Sequence, residues 1–346
     1  MAHSRRRHGN IRQSGRLVSS LDPFLIVKVT RQNFCHYNLS RLLALLFSWT
    51  QHASIAMSST RESFTLPNGR QMAYSLSAGG SSDRVVLLSN SLVEDLTSWD
   101  RVVPVVENQG FRILRYDHPG HGRSGAPIEP ELTSMTFETL ADDVYYLLKH
   151  IKINKLHAWV GVSMGGIKAV YFTARHPGIV NKIVVADAIA ASPAVAGIPD
   201  NFAARVSAVK QSGSISEDLS NTRKRWFGED WMAKYPEETA RMEKSMATTT
   251  IQGLEACCAA LRSPSFDLRP LYPKVGHGCE EALIVAGEKD ADLPAKMQEM
   301  RQAIEESLWN RGKKVPVRME IIKDAGHVPY IDGFEDFCEI ITKFLA

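Results

Sequence analysis

Few backbones accommodate Gly161-Val162-Ser163-Met164-Gly165-Gly166 set directly behind the apolar run Leu156-His157-Ala158-Trp159-Val160. The spacing G-x-S-x-G at the end of a strand predicts a sharp strand-to-helix turn. Small residues on either side let the chain pass closely while the serine backbone is held in a strained conformation. Such a bend lifts the Ser163 hydroxyl clear of the sheet. It also aims the next backbone N–H, that of Met164, at the point where negative charge would develop, with a helix N-terminus behind it.

The flanking pattern fixes the kind of sheet. Residues 61–66 and 71–77 read as a hairpin around Pro67-Asn68-Gly69. Arg84–Asn90, Phe111–Tyr116, Lys155–Val160 and Lys182–Ala188 are apolar strand-like runs. Helical stretches Leu96–Val106, Phe137–His150 and Gly165–Arg175 separate them. Continuous apolar strands alternating with helices specify a parallel sheet with right-handed crossovers. The alternation stops at about 190–270, which is polar and helical, and resumes beyond 281. We therefore expect a core of residues 57–189 and 271–346, interrupted by a helical cap at 190–270.

Composition narrows the function classes. A chain of 346 residues, 44% hydrophobic and 23% charged, can bury a full core. A net charge of +3 is too small to imply nucleic acid or an anionic membrane. The five cysteines are odd in number, include the adjacent Cys257 and Cys258, and form no C-x-x-C. This speaks against a disulfide framework or a metal site and fits a reducing, cytoplasmic compartment. Residues 1–56 differ: eight Lys and Arg, from Arg5 to Arg41, stand against the single acid Asp22. They read either as a mitochondrial transit-like leader or as an over-extended start ahead of Met57. The apolar patch at 42–49 is too short to span a bilayer.

A serine alcohol is a weak nucleophile, so an imidazole must take its proton and an acid must orient that imidazole. Asp290 follows the run 282–286, and His327 lies in Ala325-Gly326-His327-Val328-Pro329 after the run 316–322. Asp292 and Asp324 are the competing acids. The order Ser163, Asp290, His327 is that of the α/β-hydrolases. The second oxyanion donor is expected from Ser89-Asn90-Ser91-Leu92-Val93, with the Leu92 N–H paired to that of Met164. Asp117 and the loop His118-Pro119-Gly120-His121-Gly122-Arg123-Ser124 read as structural, bracing the elbow from below.

From about residue 60 onward the chain resembles the 3-oxoadipate enol-lactonases. The resemblance rests on Leu88-Ser89-Asn90-Ser91-Leu92, Leu114-Arg115-Tyr116-Asp117, the Gly-His-Gly-Arg-Ser loop and Cys257-Cys258-Ala259-Ala260-Leu261-Arg262. It implies the α/β-hydrolase fold: a mostly parallel eight-stranded sheet, helices on both faces and an inserted helical cap. It further implies cofactor-free hydrolysis of a small lactone bearing a carboxylate, as in aromatic-compound catabolism. The chain departs from that family in two places. Val93 stands where the family usually has Gly, and Phe202-Ala203-Ala204-Arg205 replaces Trp-x-x-Arg near the cap entrance. Asn90, Ser91, Arg205, Trp226 and Arg262 are candidate substrate contacts, with Phe227 beside them. The competing classes are a non-hydrolytic ligand receptor on the same fold, and a perhydrolase or carbon–carbon bond hydrolase with the same three residues.

Overall fold

In the computed structural model, which describes residues 61–346, eight strands form one sheet in the order β1-β2-β4-β3-β5-β6-β7-β8. They are β1 (Arg61–Thr65), β2 (Gln71–Leu76), β3 (Val85–Ser89), β4 (Arg112–Tyr116), β5 (Leu156–Val162), β6 (Val180–Ala186), β7 (Glu281–Gly287) and β8 (Arg318–Ile322). The hairpin β1–β2 joins β4 antiparallel, and every pairing from β4 to β8 is parallel. Residues 1–56, including the basic leader, lie outside the described residues.

Strand order reverses at β3. The chain steps outward from β3 to β4, then returns to place β5 on the other side of β3. A crevice opens at such a switch point beyond the carboxyl ends of the strands. The loop after Ser89 and the turn after Val162 both lie there.

Helices α1 (Val102–Glu107), α2 (Phe137–His150) and α3 (Met164–Arg175) connect the strands as the alternation requires. The expected single helix over 96–106 is divided into a 3₁₀ turn at Leu96–Trp99 and α1. Pro104 explains the break. It has no N–H to donate and is tolerated only in a first turn, so the helix restarts two residues before it.

The segment 190–270 holds α4 (Asn201–Ser212), α5 (Ser216–Phe227), α6 (Pro236–Met246) and α7 (Ile251–Arg262), with short turns of helix between them. Its ends meet: Ala191 and Asp267 form a β-bridge, and Leu268 N–H donates to the Ala190 carbonyl at 2.7 Å. After it come α8 (Tyr272–Gly278), α9 (Leu293–Asn310) and α10 (Phe334–Leu345). Strands β3, β5, β6 and β7 are buried along nearly their whole length, as a sheet covered on both faces requires. Cys257, Cys258, Cys279 and Cys338 are buried free thiols. Among the described residues no helix is long and apolar enough to cross a membrane.

Candidate active site

Ser163 sits between β5 and α3 at φ 52° and ψ −118°, a region that non-glycine residues rarely adopt. Its N–H is tied to the Ala186 carbonyl at 2.7 Å, so the neighbouring strand holds the strain in place. The glycines are steric requirements. A Cβ on Gly161 would overlap the backbone of Gly165, and one on Gly165 would overlap the Ser89 carbonyl oxygen.

Strand adjacency brings the next two groups to Ser163. The turns after β7 and β8 abut: Lys289 N–H donates to the Ala325 carbonyl at 2.8 Å, and a Cβ on Gly287 would overlap the Gly326 carbonyl. Across this contact His327 Nδ1 lies 2.7 Å from Asp290 Oδ2, and His327 Nε2 lies 2.8 Å from Ser163 Oγ. With Nδ1–H donating to the carboxylate, Nε2 is left to accept the serine O–H. Asp324 instead turns the chain at φ 61° and pairs with Lys289 at 2.9 Å in solvent. Asp292 pairs with Lys296 at 2.6 Å, equally exposed.

The loop after β3 is wholly buried and braced from several sides. Ser91 N–H donates to Glu94 Oε2 at 3.1 Å and Val93 N–H to His121 Nε2 at 3.2 Å. Between them the Leu92 N–H has no acceptor among the described residues, and neither has that of Met164. Val93 itself has φ 63°, the conformation a glycine would take there without strain. The His-Pro-Gly-His loop therefore supports the loop after β3 as well as the elbow helix. His118 Nε2–H donates to the Asn90 carbonyl at 3.0 Å, and its Nδ1 takes a hydrogen bond from Lys168 of α3 at 2.7 Å. Asp117 accepts from Leu96 N–H at 2.7 Å and Arg123 N–H at 2.9 Å. Burial disfavours charge throughout this layer. It lowers His118 well below the usual imidazole range, His121 to about 4 and Lys168 to about 7, and it raises Asp117 to about 6.

Three further acids surround the site, Glu94 and Asp187 buried and Asp332 half-buried, and none was singled out from sequence. Glu94 accepts from Tyr330 O–H at 2.7 Å, and burial raises it to about 7. Asp332 accepts from Gly326 N–H at 2.6 Å, one residue before His327, and burial raises it to about 7. Asp187 stands at the end of β6 with φ 45° and accepts from Gly287 N–H at 2.9 Å. The signal for Asp187 was present: an acid directly behind Val184-Val185-Ala186 stands at a strand end, as Asp290 does three residues beyond β7. Glu94 and Asp332 carried no such signal, because neither directly follows an apolar strand-like run.

The expected substrate contacts divide. Trp226 is buried, with its ring 5.4 Å from the His327 ring, so α5 reaches the site. Phe227 packs edge-on to Trp226 and stacks on Trp231. Ser91 is buried, and its Oγ has no hydrogen-bond partner among the described residues. Asn90 is corrected: its amide donates to the Glu94 carbonyl at 3.2 Å and accepts from Trp99 Nε1 at 3.0 Å, so it holds the loop and has no free end for substrate. Arg205 is corrected too, since Asp218 holds it bidentately at 2.5 and 2.6 Å and Thr222 takes a further donor at 3.0 Å. Arg262 pairs with Asp200 at 2.6 Å and lines an open cavity of about 370 Å³ with Glu255 and Thr136. The walls of that cavity include none of Ser163, Asp290 and His327.

Comparison with known proteins agrees with this architecture. The alpha/beta hydrolase fold family matches residues 84–334. The 3-oxoadipate enol-lactonase 2 of Acinetobacter baylyi is 27% identical over 222 residues, 64% of this chain and 77% of that protein. A pimeloyl-[acyl-carrier protein] methyl ester esterase of Methylococcus capsulatus is 24% identical over 262 residues, covering 72% of this chain and 89% of its own length. The crystal structure of the enol-lactonase from Burkholderia xenovorans superposes with a TM-score of 0.66 at 28% identity, over 80% of this chain and 97% of that one. A match spanning most of the chain, on a sheet whose strand ends carry Ser163, Asp290 and His327, places this protein in the alpha/beta hydrolase fold family.

Proposed function

We propose that this protein is a serine hydrolase of small lactones or carboxylic esters. The reading is carried by one observation, the continuous hydrogen-bonded chain from Ser163 Oγ through His327 to Asp290 at 2.8 and 2.7 Å. Ser163 is the nucleophile, His327 the base and then the acid, and Asp290 the orienting group. In the reaction His327 takes the hydroxyl proton as Ser163 Oγ bonds to the acyl carbon. The carbonyl oxygen then carries negative charge, which the Leu92 and Met164 N–H groups receive. The bond to the ring or alkoxy oxygen breaks, and His327 returns the proton to that oxygen. Water, deprotonated by His327, releases the acid and restores Ser163.

The named activities of the enol-lactonases and the methyl ester esterase support lactones and esters, and an enol-lactone bearing a carboxylate is the first candidate. The helices of 190–270 serve as a cap in this reading. Trp226 closes one wall of the pocket beside His327 and lowers its exposure to water. Because Arg205 is occupied by Asp218, a substrate carboxylate would be met by other groups of the pocket.

A panel of small lactones and short acyl esters, run with wild type and Ser163→Ala, tests the proposal. A fluorophosphonate should label Ser163 and nothing else. A protein that binds such ligands yet is never labelled is a receptor, and the hydrolase reading fails.

A further inference from the structure

We infer that Asp187 acts as an un-ionised carboxylic acid that donates a hydrogen bond to the Asp290 carboxylate, fixing the orienting acid from behind. It is a positioning residue, and the inference rests on the hydrolase reading above.

The argument begins with the strand ends. Asp187 terminates β6, which pairs with β7, and Asp290 lies three residues beyond the end of β7. Asp187 is fully buried, and its left-handed backbone turns the side chain back toward β7. One oxygen, Oδ1, is occupied by Gly287 N–H at 2.9 Å. The other, Oδ2, has no partner if every nearby acid is ionised, although it is completely enclosed. Gly287 links it to Asp290: the Gly287 N–H meets Asp187, and the Gly287 carbonyl takes the Asp290 N–H at 3.1 Å, which sets the Asp290 side chain beside Asp187.

Two carboxylates cannot share such a contact away from water, because each lacks a proton to give and both carry negative charge. A single proton resolves both difficulties. It turns the orphaned oxygen into a donor and removes one charge. The proton belongs on Asp187: that group is wholly enclosed, whereas Asp290 is partly open and already receives His327 Nδ1–H. Burial, and next the charge of Asp290, push Asp187 well above the usual carboxylate range. Asp332 is the other acid facing it; Gly326 N–H engages its Oδ2 and its Oδ1 has no partner, but Asp332 is only half-buried whereas Asp187 is wholly enclosed. The donated bond would hold the Asp290 carboxylate in plane with the imidazole while leaving it the negative charge that stabilises the imidazolium.

Infrared spectra of protein carrying carbon-13 aspartate test the protonation near pH 8. Wild type should show the carbonyl stretch of an un-ionised carboxyl group that Asp187→Asn lacks. Kinetics test the role. Asn supplies the same donor and acceptor, so Asp187→Asn should stay within about threefold of wild type in kcat. Asp187→Leu should lose about tenfold or more in kcat with KM little changed. If Asp187→Leu fails to fold, the infrared comparison and Asp187→Asn still decide. Identical infrared spectra, an Asn variant as slow as the Leu variant, or a folded Leu variant labelled by fluorophosphonate at the wild-type rate would each overturn the inference. A wild-type protein that is never labelled instead defeats the hydrolase reading. That result is separable, because the infrared measurement needs no turnover.

Discussion

The carboxyl edge of the sheet and the helices of 190–270 handle polar groups in opposite ways. At the sheet edge, polar side chains are largely enclosed, and most have at least one atom directed at a backbone or side-chain partner, Ser91 Oγ being an exception. Glu94 meets Ser91 and Tyr330, His121 meets Val93, and Asp332 meets Gly326. In the inserted helices the charged groups pair with one another. Arg205 meets Asp218, Arg262 meets Asp200 and Lys210 meets Glu255. Enclosed groups pay a desolvation cost that only fixed geometry offsets, so they preorganise a reaction centre. Arg205–Asp218 is itself largely enclosed, whereas Arg262–Asp200 and Lys210–Glu255 reach solvent and contribute little.

Five substitutions probe that contrast, in descending order of effect. Ser163→Ala should lower kcat by at least about a thousandfold with the fold intact, measured on whichever ester or lactone proves best. Retention of wild-type turnover would show that the sheet edge is a scaffold only. Gly165→Ala should cost about 3 kcal/mol, because the added carbon meets the rigid Ser89 carbonyl rather than a movable side chain. Urea denaturation reads this directly, and an unchanged midpoint would mean the elbow is looser than its geometry implies.

Glu94→Gln sharpens the comparison through pH. Burial raises Glu94 from 4.5 to about 7, so between those values the folded state holds more protons than the unfolded one. Stability contributed by this site therefore falls as pH rises from about 4.5 to 7 and is flat above. Gln keeps the Ser91 and Tyr330 contacts without a charge. The variant should match wild type near pH 5 and exceed it by up to about 3 kcal/mol near pH 8. A gap of equal size at both pH values would refute the buried-charge explanation.

The two arginines close the series. Arg205→Met should destabilise the protein by about 2 kcal/mol, because it strands the enclosed Asp218, while leaving KM unchanged. Arg262→Ala should change stability by less than about 0.5 kcal/mol and kcat/KM by less than about threefold. A large rise in KM for an acid-bearing lactone in either variant would return that arginine to the substrate site.

Much of the sheet edge was legible because its information is local. The apolar run before Ser163, the glycines around it, and an acid and a histidine behind later runs are each contained in a few residues. The division of 96–107 was legible in principle through Pro104. The roles of Asn90 and Arg205 were not. Their residue types suit substrate contact, but Trp99 and Asp218 claim them first, and only packing reveals which partner a side chain meets.

What the order of residues determined by itself was the alternation of strand and helix, the strained serine turn, and the order Ser163, Asp290, His327 along the chain. Those follow from backbone sterics and hydrophobic periodicity, which act over short distances. Tertiary structure decided which of several acids faces His327, which N–H groups stay without an acceptor, and which buried carboxyls must hold a proton. These depend on the distance between groups on different strands and on their exclusion from water, and neither quantity exists until the sheet has closed.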